Sequence, residues 1–274
     1  MSELSFFDIV TLFTYQFFRY AIIGGILVAV ACALIGIFVV LRKQSMLGDG
    51  LAHASFGGIA LGLFIGVLPL ITALLVSIIA VLSISYLKRH GIAPSDASIA
   101  VFLALGFATG LVLISLSGGF NVDLFAYLFG SILTIDAGDL FLILILSGVI
   151  IVFIAVFYKE LVAICFDEQY AKLSGIPVNV LNIVFDILVA STIVISIKIV
   201  GVILVSAMIV IPALSALQLN LSFKKTIISS VAFAITSVVI GIMLSAIYGV
   251  ATSGVIVFTA GAIFLITAIY KKLE

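Results

Sequence analysis

No glycine in this 274-residue chain is followed by lysine, so the G-x-x-x-x-G-K-[ST] loop that cradles nucleotide phosphates is absent. If the chain moves a solute, its energy comes from another molecule. HExxH is missing as well, and the two histidines, His53 and His90, stand far apart in sequence, which argues against an intramembrane zinc protease. There is no G-x-S-x-G elbow to support a serine nucleophile. The two cysteines, Cys32 and Cys165, are too few for a disulfide framework or a sulfur cage, and each reads as a small buried hydrophobe. Charge is scarce: Lys, Arg, Asp and Glu make up 9% of residues and cancel to zero, which suggests no nucleic-acid partner.

What is present is hydrocarbon. Hydrophobic residues form 65% of the chain and mean hydropathy is +1.53, against about 45–50% apolar residues in a soluble domain. The apolar runs show no alternation of the kind a membrane barrel needs. The expectation is an all-α integral membrane protein, one transmembrane domain over 1–274. Runs near the 20 residues that cross a bilayer fall at 20–41, 47–66, 69–87, 97–116, 139–158, 180–197, 200–218, 225–247 and 252–270, which makes nine spans. Only Ser196, Lys198 and Gly201 interrupt 181–219, so a single bent helix there would reduce the count to eight. Ten of the twelve basic residues fall at alternate turns, leaving Arg19 and Lys198 for the other side. By the positive-inside rule the N-terminus is outside and the C-terminus cytoplasmic.

Three stretches depart from this rhythm. Residues 1–19 lack the basic start of a signal peptide and read as an aromatic-rich segment in the membrane interface. Residues 123–133 are apolar but too short to cross, and read as a half-helix on the outer side. Residues 166–177 are polar. Asp167 and Glu168 open this stretch, Gln169, Tyr170 and Ala171 follow, Lys172, Leu173 and Ser174 close it, and Gly175 precedes Pro177. Those are the start and stop signals of a short helix in the longest cytoplasmic interval.

Small residues recur every four positions at Gly58, Gly62 and Gly66, and again at Gly106 and Gly110, which predicts closely packed helix faces. Pro212 should kink the seventh span. Asp186, one turn from Asn182, reads either as a group supporting a functional site from behind or, the preferred reading, as a carboxylate near enough to the interface to stay hydrated. His90, after Lys88 and Arg89, reads as a solvated loop residue.

The most informative pair is Asp49 and His53. Four residues apart, they share one face of the second span. A charged residue at the centre of a bilayer costs roughly 2.5–3.5 kcal/mol on insertion scales, so an intramembrane acid points to function. A carboxylate and an imidazole are half of a divalent transition-metal site. Equally, Asp49 would serve as a helix cap with His53 satisfied by a backbone carbonyl. The residues alone leave both readings open.

The run LRKQSMLGDGLAHASFGGIALGL resembles the signature of bacterial metal-ion ABC importer permeases, the zinc, manganese and iron group. The likeness continues through DLFAYLFGSIL, FDEQYAKLSGIPV and GVILVSAMIVIPA. It implies a homodimer with a translocation path near the dimer axis and a non-catalytic role, ATP being hydrolysed by a separate ATPase subunit. That subunit would dock on a coupling helix at Asp167–Gly175, and an extracellular or periplasmic metal-binding protein would deliver the ion. Asp49 and His53 would be the metal-contacting pair, with no permanently bound cofactor. LAHAS and AYLFG look more like zinc permeases than manganese ones, so the resemblance implies Zn2+ as cargo, with Mn2+ or Fe2+ as alternatives. A proton-coupled secondary transporter, with Asp49 and His53 relaying protons, is the rival reading. One tension stands: counted from Arg42 and Lys43, Asp49 belongs in the cytoplasmic third of the bilayer, whereas the resemblance implies a deeper position.

Overall fold

The computed structural model describes residues 14–118, 122–130 and 135–273, and the described residues form twelve α-helices and no strand. They are α1 (Gln16–Leu41), α2 (Leu47–Ile65), α3 (Pro69–Arg89), α4 (Ser95–Leu116), α5 (Val122–Phe129), α6 (Ala137–Val156), α7 (Tyr158–Phe166), α8 (Glu168–Leu173), α9 (Val178–Val200), α10 (Val205–Leu217), α11 (Phe223–Tyr248) and α12 (Thr252–Leu273). Eight of them, α1–α4, α6, α9, α11 and α12, are long and apolar enough to cross a membrane.

α1 and α9 form the centre. Both are covered by protein over most of their length, which suits helices that are apolar all round. α2 lies between α3 and α4, while α1 packs on α6, α9, α10 and α11, and α12 covers α11. α4, α6 and α12 expose most of their surface, as helices against lipid do. Several interior hydroxyls find partners within their own helices: Ser55 donates to Leu51 O at 2.7 Å, Thr192 to Leu188 O at 2.8 Å and Ser196 to Thr192 O at 2.6 Å. With no water available in the hydrocarbon, such internal bonds remove an otherwise large penalty.

Four expectations need adjustment. Gln16–Arg19, placed in the interfacial segment, form the first turn of α1, with Phe18 fully buried; residues 1–13 of that segment lie outside the described residues. The outer half-helix is realised as the eight-residue α5, and 131–134 lie outside the described residues. The seventh span is a turn at 201–204 followed by the 13-residue α10. At 1.5 Å per residue α10 covers only about 20 Å, less than the roughly 30 Å of a hydrocarbon core. It nevertheless reaches both ends of the bundle. Val202 N–H donates to Tyr127 O of α5 at 3.0 Å, while Gln218, just beyond α10, accepts from Thr267 in α12 at 3.2 Å. The chain therefore turns back after Val200 rather than continuing as one bent helix, and the buried turn against α5 supplies the missing depth. Pro212 sits within α10, buried, and the helix runs on to Leu217.

The fourth adjustment concerns Gly66. It follows the end of α2 with φ +73° and ψ 28°, and no atom lies within 4 Å of where a β-carbon would be. It is a left-handed helix cap and not a packing residue, because the helix stops one residue before the glycine spacing does. The other four glycines do pack. A β-carbon on Gly58 would lie 2.7 Å from Ala73 Cα, and one on Gly62 would lie 2.8 Å from Pro69 Cα. Gly106 meets Ala54 at 2.5 Å, and Gly110 receives the ring of Phe56.

Candidate functional site

From Leu47 to Ala60, α2 is buried at every position except Asp49 and His53, which are half-buried. The helix is locked by its small residues: Gly48 abuts Ser206 of α10, Gly50 abuts Ile99 of α4, and a β-carbon on Gly57 would lie 2.6 Å from the Gly106 carbonyl oxygen. The acid and the imidazole therefore occupy the one strip of this stretch that the rest of the chain leaves uncovered. The strip closes one turn further on, where Gly57 and Gly106 touch.

Asp49 lies inside the first turn of α2 and caps nothing, as Met46 is the residue before the helix and no side chain bonds its free N–H groups. The capping alternative thus has no support in the geometry. The tension in depth also eases. Arg42 and Lys43 end α1, but Gln44 to Met46 form a short turn that carries the chain back, so Gly48 reaches the second residue of α10 and Gly50 packs one turn into α4. His53 sits a further turn in. Its ring stands edge-on to Phe107 of α4, with centroids 5.3 Å apart at 89°, and Phe107 leans in turn on Phe56. His53 Nδ1 is buried without a hydrogen-bond partner among the described residues. An orphaned ring nitrogen next to a carboxylate on the same helix face offers one nitrogen and one oxygen donor, the types that divalent transition metals accept. It is only half of one, since no group of three or more His, Cys, Asp or Glu side chains converges among the described residues.

The polar stretch is organised as its sequence signals dictate. Asp167 caps α8, its Oδ1 accepting from Gln169 N and Tyr170 N at 2.9 Å each. Lys172 pairs with Glu168 one turn back at 2.7 Å, and Ala171 is buried beneath them. Ser174 and Gly175 close the helix, with Gly175 N–H donating to Lys172 O and Ile176 N–H to Ala171 O. Beside its exposed polar residues Glu168, Gln169 and Lys172, α8 offers two apolar side chains outward: Tyr170 and Leu173 are 67% and 88% exposed.

Sequence reasoning missed three features formed by residues far apart in the chain. Asp186 is buried, not hydrated, and accepts a hydrogen bond from Ser85 of α3. Lys198 pairs with Asp139 at 2.9 Å beside Tyr127, both side chains nearly buried, at the end of the bundle that holds α5. Arg42 reaches α9 and α7, donating to Asn182 Oδ1 at 3.1 Å and to Cys165 Sγ at 3.5 Å. Polar residues in or beside apolar runs were the available signal, but their partners lie more than fifty positions away.

The sequence model of the ABC 3 transport family matches residues 14–271. The chain is 31% identical to the "Manganese transport system membrane protein MntC" of Halalkalibacterium halodurans over 99% of this chain and 92% of that protein. It is also 31% identical to a Haemophilus influenzae protein named "Probable iron transport system membrane protein", over 95% and 96% of the two chains. Among solved structures, "PsaBC from Streptococcus pneumoniae in complex with Fab" superposes with a TM-score of 0.87 at 32% identity, covering 96% of this chain and 95% of that one.

Proposed function

The chain belongs to the ABC 3 transport family, and from that premise we propose that it is the permease subunit of an importer carrying a divalent transition-metal ion across a bacterial cytoplasmic membrane. The observation that carries this reading is the strip of α2 that the described residues leave uncovered, where Asp49 and His53 stand half-buried and His53 Nδ1 has no hydrogen-bond partner among the described residues. An acid facing lipid would be costly, which supports a second copy of the chain covering this strip. Two such strips face to face give four ligands, two oxygen-bearing and two nitrogen-bearing, enough for a tetrahedral site that loosens when the helices part.

The end of the bundle bearing Arg42, Lys43, Lys88, Arg89 and Lys172 faces the cytoplasm in this reading, which puts α8 where an ATPase subunit docks. The exposed Tyr170 and Leu173 are the apolar anchors for it. ATP-driven closure of the ATPase pair pushes α8, and through α9 the spans rock, so that the metal site opens alternately to each side. A metal-binding protein delivers the ion at the α5 end. For the cargo we propose Mn2+ ahead of the Zn2+ that the sequence motifs had favoured, because the relatives named above are manganese and iron systems. An oxygen and a nitrogen donor suit any of the three ions.

The test is uptake of Mn2+, Fe2+ and Zn2+ into vesicles holding this chain with its ATPase. His53→Ala and Asp49→Ala should each abolish uptake while the complex still assembles. Normal uptake in both variants removes the site assignment, and uptake driven by a pH gradient without the ATPase removes the ABC mechanism.

A further inference from the structure

At the end of the bundle opposite α5, a cavity of about 350 Å³ lies between the last turns of α1 and α3, the first turn of α9, and α7 and α8. Five basic residues line it, Arg42, Lys43, Lys88, Arg89 and Lys172, against two acids, Glu168 and Asp186. Both acids are engaged: Glu168 pairs with Lys172, and Asp186 accepts from Ser85. None of Arg42, Lys43, Lys88 and Arg89 forms an ion pair among the described residues.

Arg42 is the organising side chain. Its guanidinium is held by Asn182 through Nη1, by Cys165 through Nε, and by the face of Phe185, whose ring centroid lies 4.3 Å from Cζ. The remaining nitrogen, Nη2, is buried and has no partner among the described residues. A guanidinium fixed on three sides with one nitrogen left over is a receptor for an oxyanion, because its fork is pre-organised. The N-terminus of the 23-residue α9 adds its positive dipole end nearby, with Asn179 on the wall.

We propose that this cavity binds a phosphate group, borne by the headgroup of an anionic phospholipid or supplied as free inorganic phosphate. Its walls are the ends of three spanning helices, so it opens at headgroup depth, where basic pockets between helices take anionic lipids. An acidic side chain of the docked ATPase is the less favoured occupant, since the exposed apolar residues of α8, Tyr170 and Leu173, do not line the cavity, and the two α8 residues that do, Glu168 and Lys172, pair with each other. The proposal rests on the orientation given above only for which leaflet supplies the lipid.

The complete chain, purified with its ATPase, is reconstituted in nanodiscs of phosphatidylcholine with or without phosphatidylglycerol, and retained lipid is counted by native mass spectrometry. A parallel arm titrates inorganic phosphate against melting temperature in detergent. The first variant is Lys43→Gln/Lys88→Gln, two exposed side chains with no packing role; Arg42→Gln follows. Phosphatidylglycerol retention should fall about fivefold per cation removed, the worth of one Lys or Arg near an anionic headgroup. Phosphate-dependent stabilisation lost in the same variants, without preference for phosphatidylglycerol, assigns the site to free phosphate. Unchanged retention and melting in both variants overturn the proposal. So does release of the ATPase with lipid and phosphate binding intact, which gives the cavity to the ATPase. Metal uptake is not read, so failure of the transport assignment leaves this result standing.

Discussion

Replacing Gly106 with alanine tests whether the glycine crossing of α2 and α4 sets the position of His53. A β-carbon at Gly106 would lie 2.5 Å from Ala54 Cα, 2.7 Å from the His53 carbonyl oxygen and 2.8 Å from Ala54 N. All three neighbours are backbone and cannot rotate aside. Non-bonded carbons rest about 3.5–4.0 Å apart, so α4 must retreat by about 1 Å. Overpacking of this kind costs about 1–3 kcal/mol. The retreat also moves Phe107, one residue on, away from the imidazole it braces. Metal ligation tolerates errors of only about 0.2 Å, and misplacing a reacting group by 1 Å costs up to about a hundredfold in rate. We expect Gly106→Ala to lower the melting temperature and to reduce metal uptake in reconstituted vesicles at least about tenfold. Gly148→Ala is the control: nothing lies within 4 Å of its β-carbon position, and glycine-to-alanine in a helix is neutral or stabilising by up to about 1 kcal/mol. Wild-type uptake and melting in Gly106→Ala would refute the claim that this crossing holds the site.

Three further outcomes are expected. Lys198→Met leaves Asp139 nearly buried without its partner and should destabilise the chain by about 3–5 kcal/mol in thermal melting, while Lys198→Met/Asp139→Asn recovers part of that loss. Leu173→Asp changes a side chain that is 88% exposed, so melting should be unaltered while co-purification of the ATPase is lost. Burial pushes the Cys165 thiol above its ordinary value of 9.0, with the Arg42 charge opposing only in part, so at a given pH the folded chain carries less thiolate than a free cysteine. Maleimide labelling of Cys165 should therefore be slower than that of a free thiol, and should accelerate only as pH rises beyond the ordinary thiol range.

The parts of this structure that were readable in sequence are those whose causes are local. α8 is the clearest case, because its cap Asp167, its Glu168–Lys172 pair and its terminator Gly175 all lie within nine residues. The spans follow from hydropathy for the same reason. Gly66 was misread because a four-residue spacing does not reveal where a helix ends. Asp186 was misread because its partner Ser85 stands 101 positions away, and no pattern within a single helix carries that information. Asp49 and His53 were found by spacing, but spacing did not show that they are the two uncovered residues among fourteen.

The two ends of the bundle constrain where a cation can travel through it. At the α5 end Lys198 is neutralised by Asp139, whereas the other end holds four basic side chains that form no ion pair among the described residues, around the Arg42 cavity. A doubly charged ion would be repelled from that cavity, so the cavity is not the exit. Among the described residues no third His, Cys, Asp or Glu joins Asp49 and His53, and beyond them α2 is packed closed by Gly57 against Gly106 and by Gly58 against Ala73. The route left open for the metal runs along the outer strip of α2, bounded by whatever covers that strip. If that cover is a second copy of the chain, a variant that abolishes pairing of the copies should abolish metal binding even where Asp49 and His53 are intact.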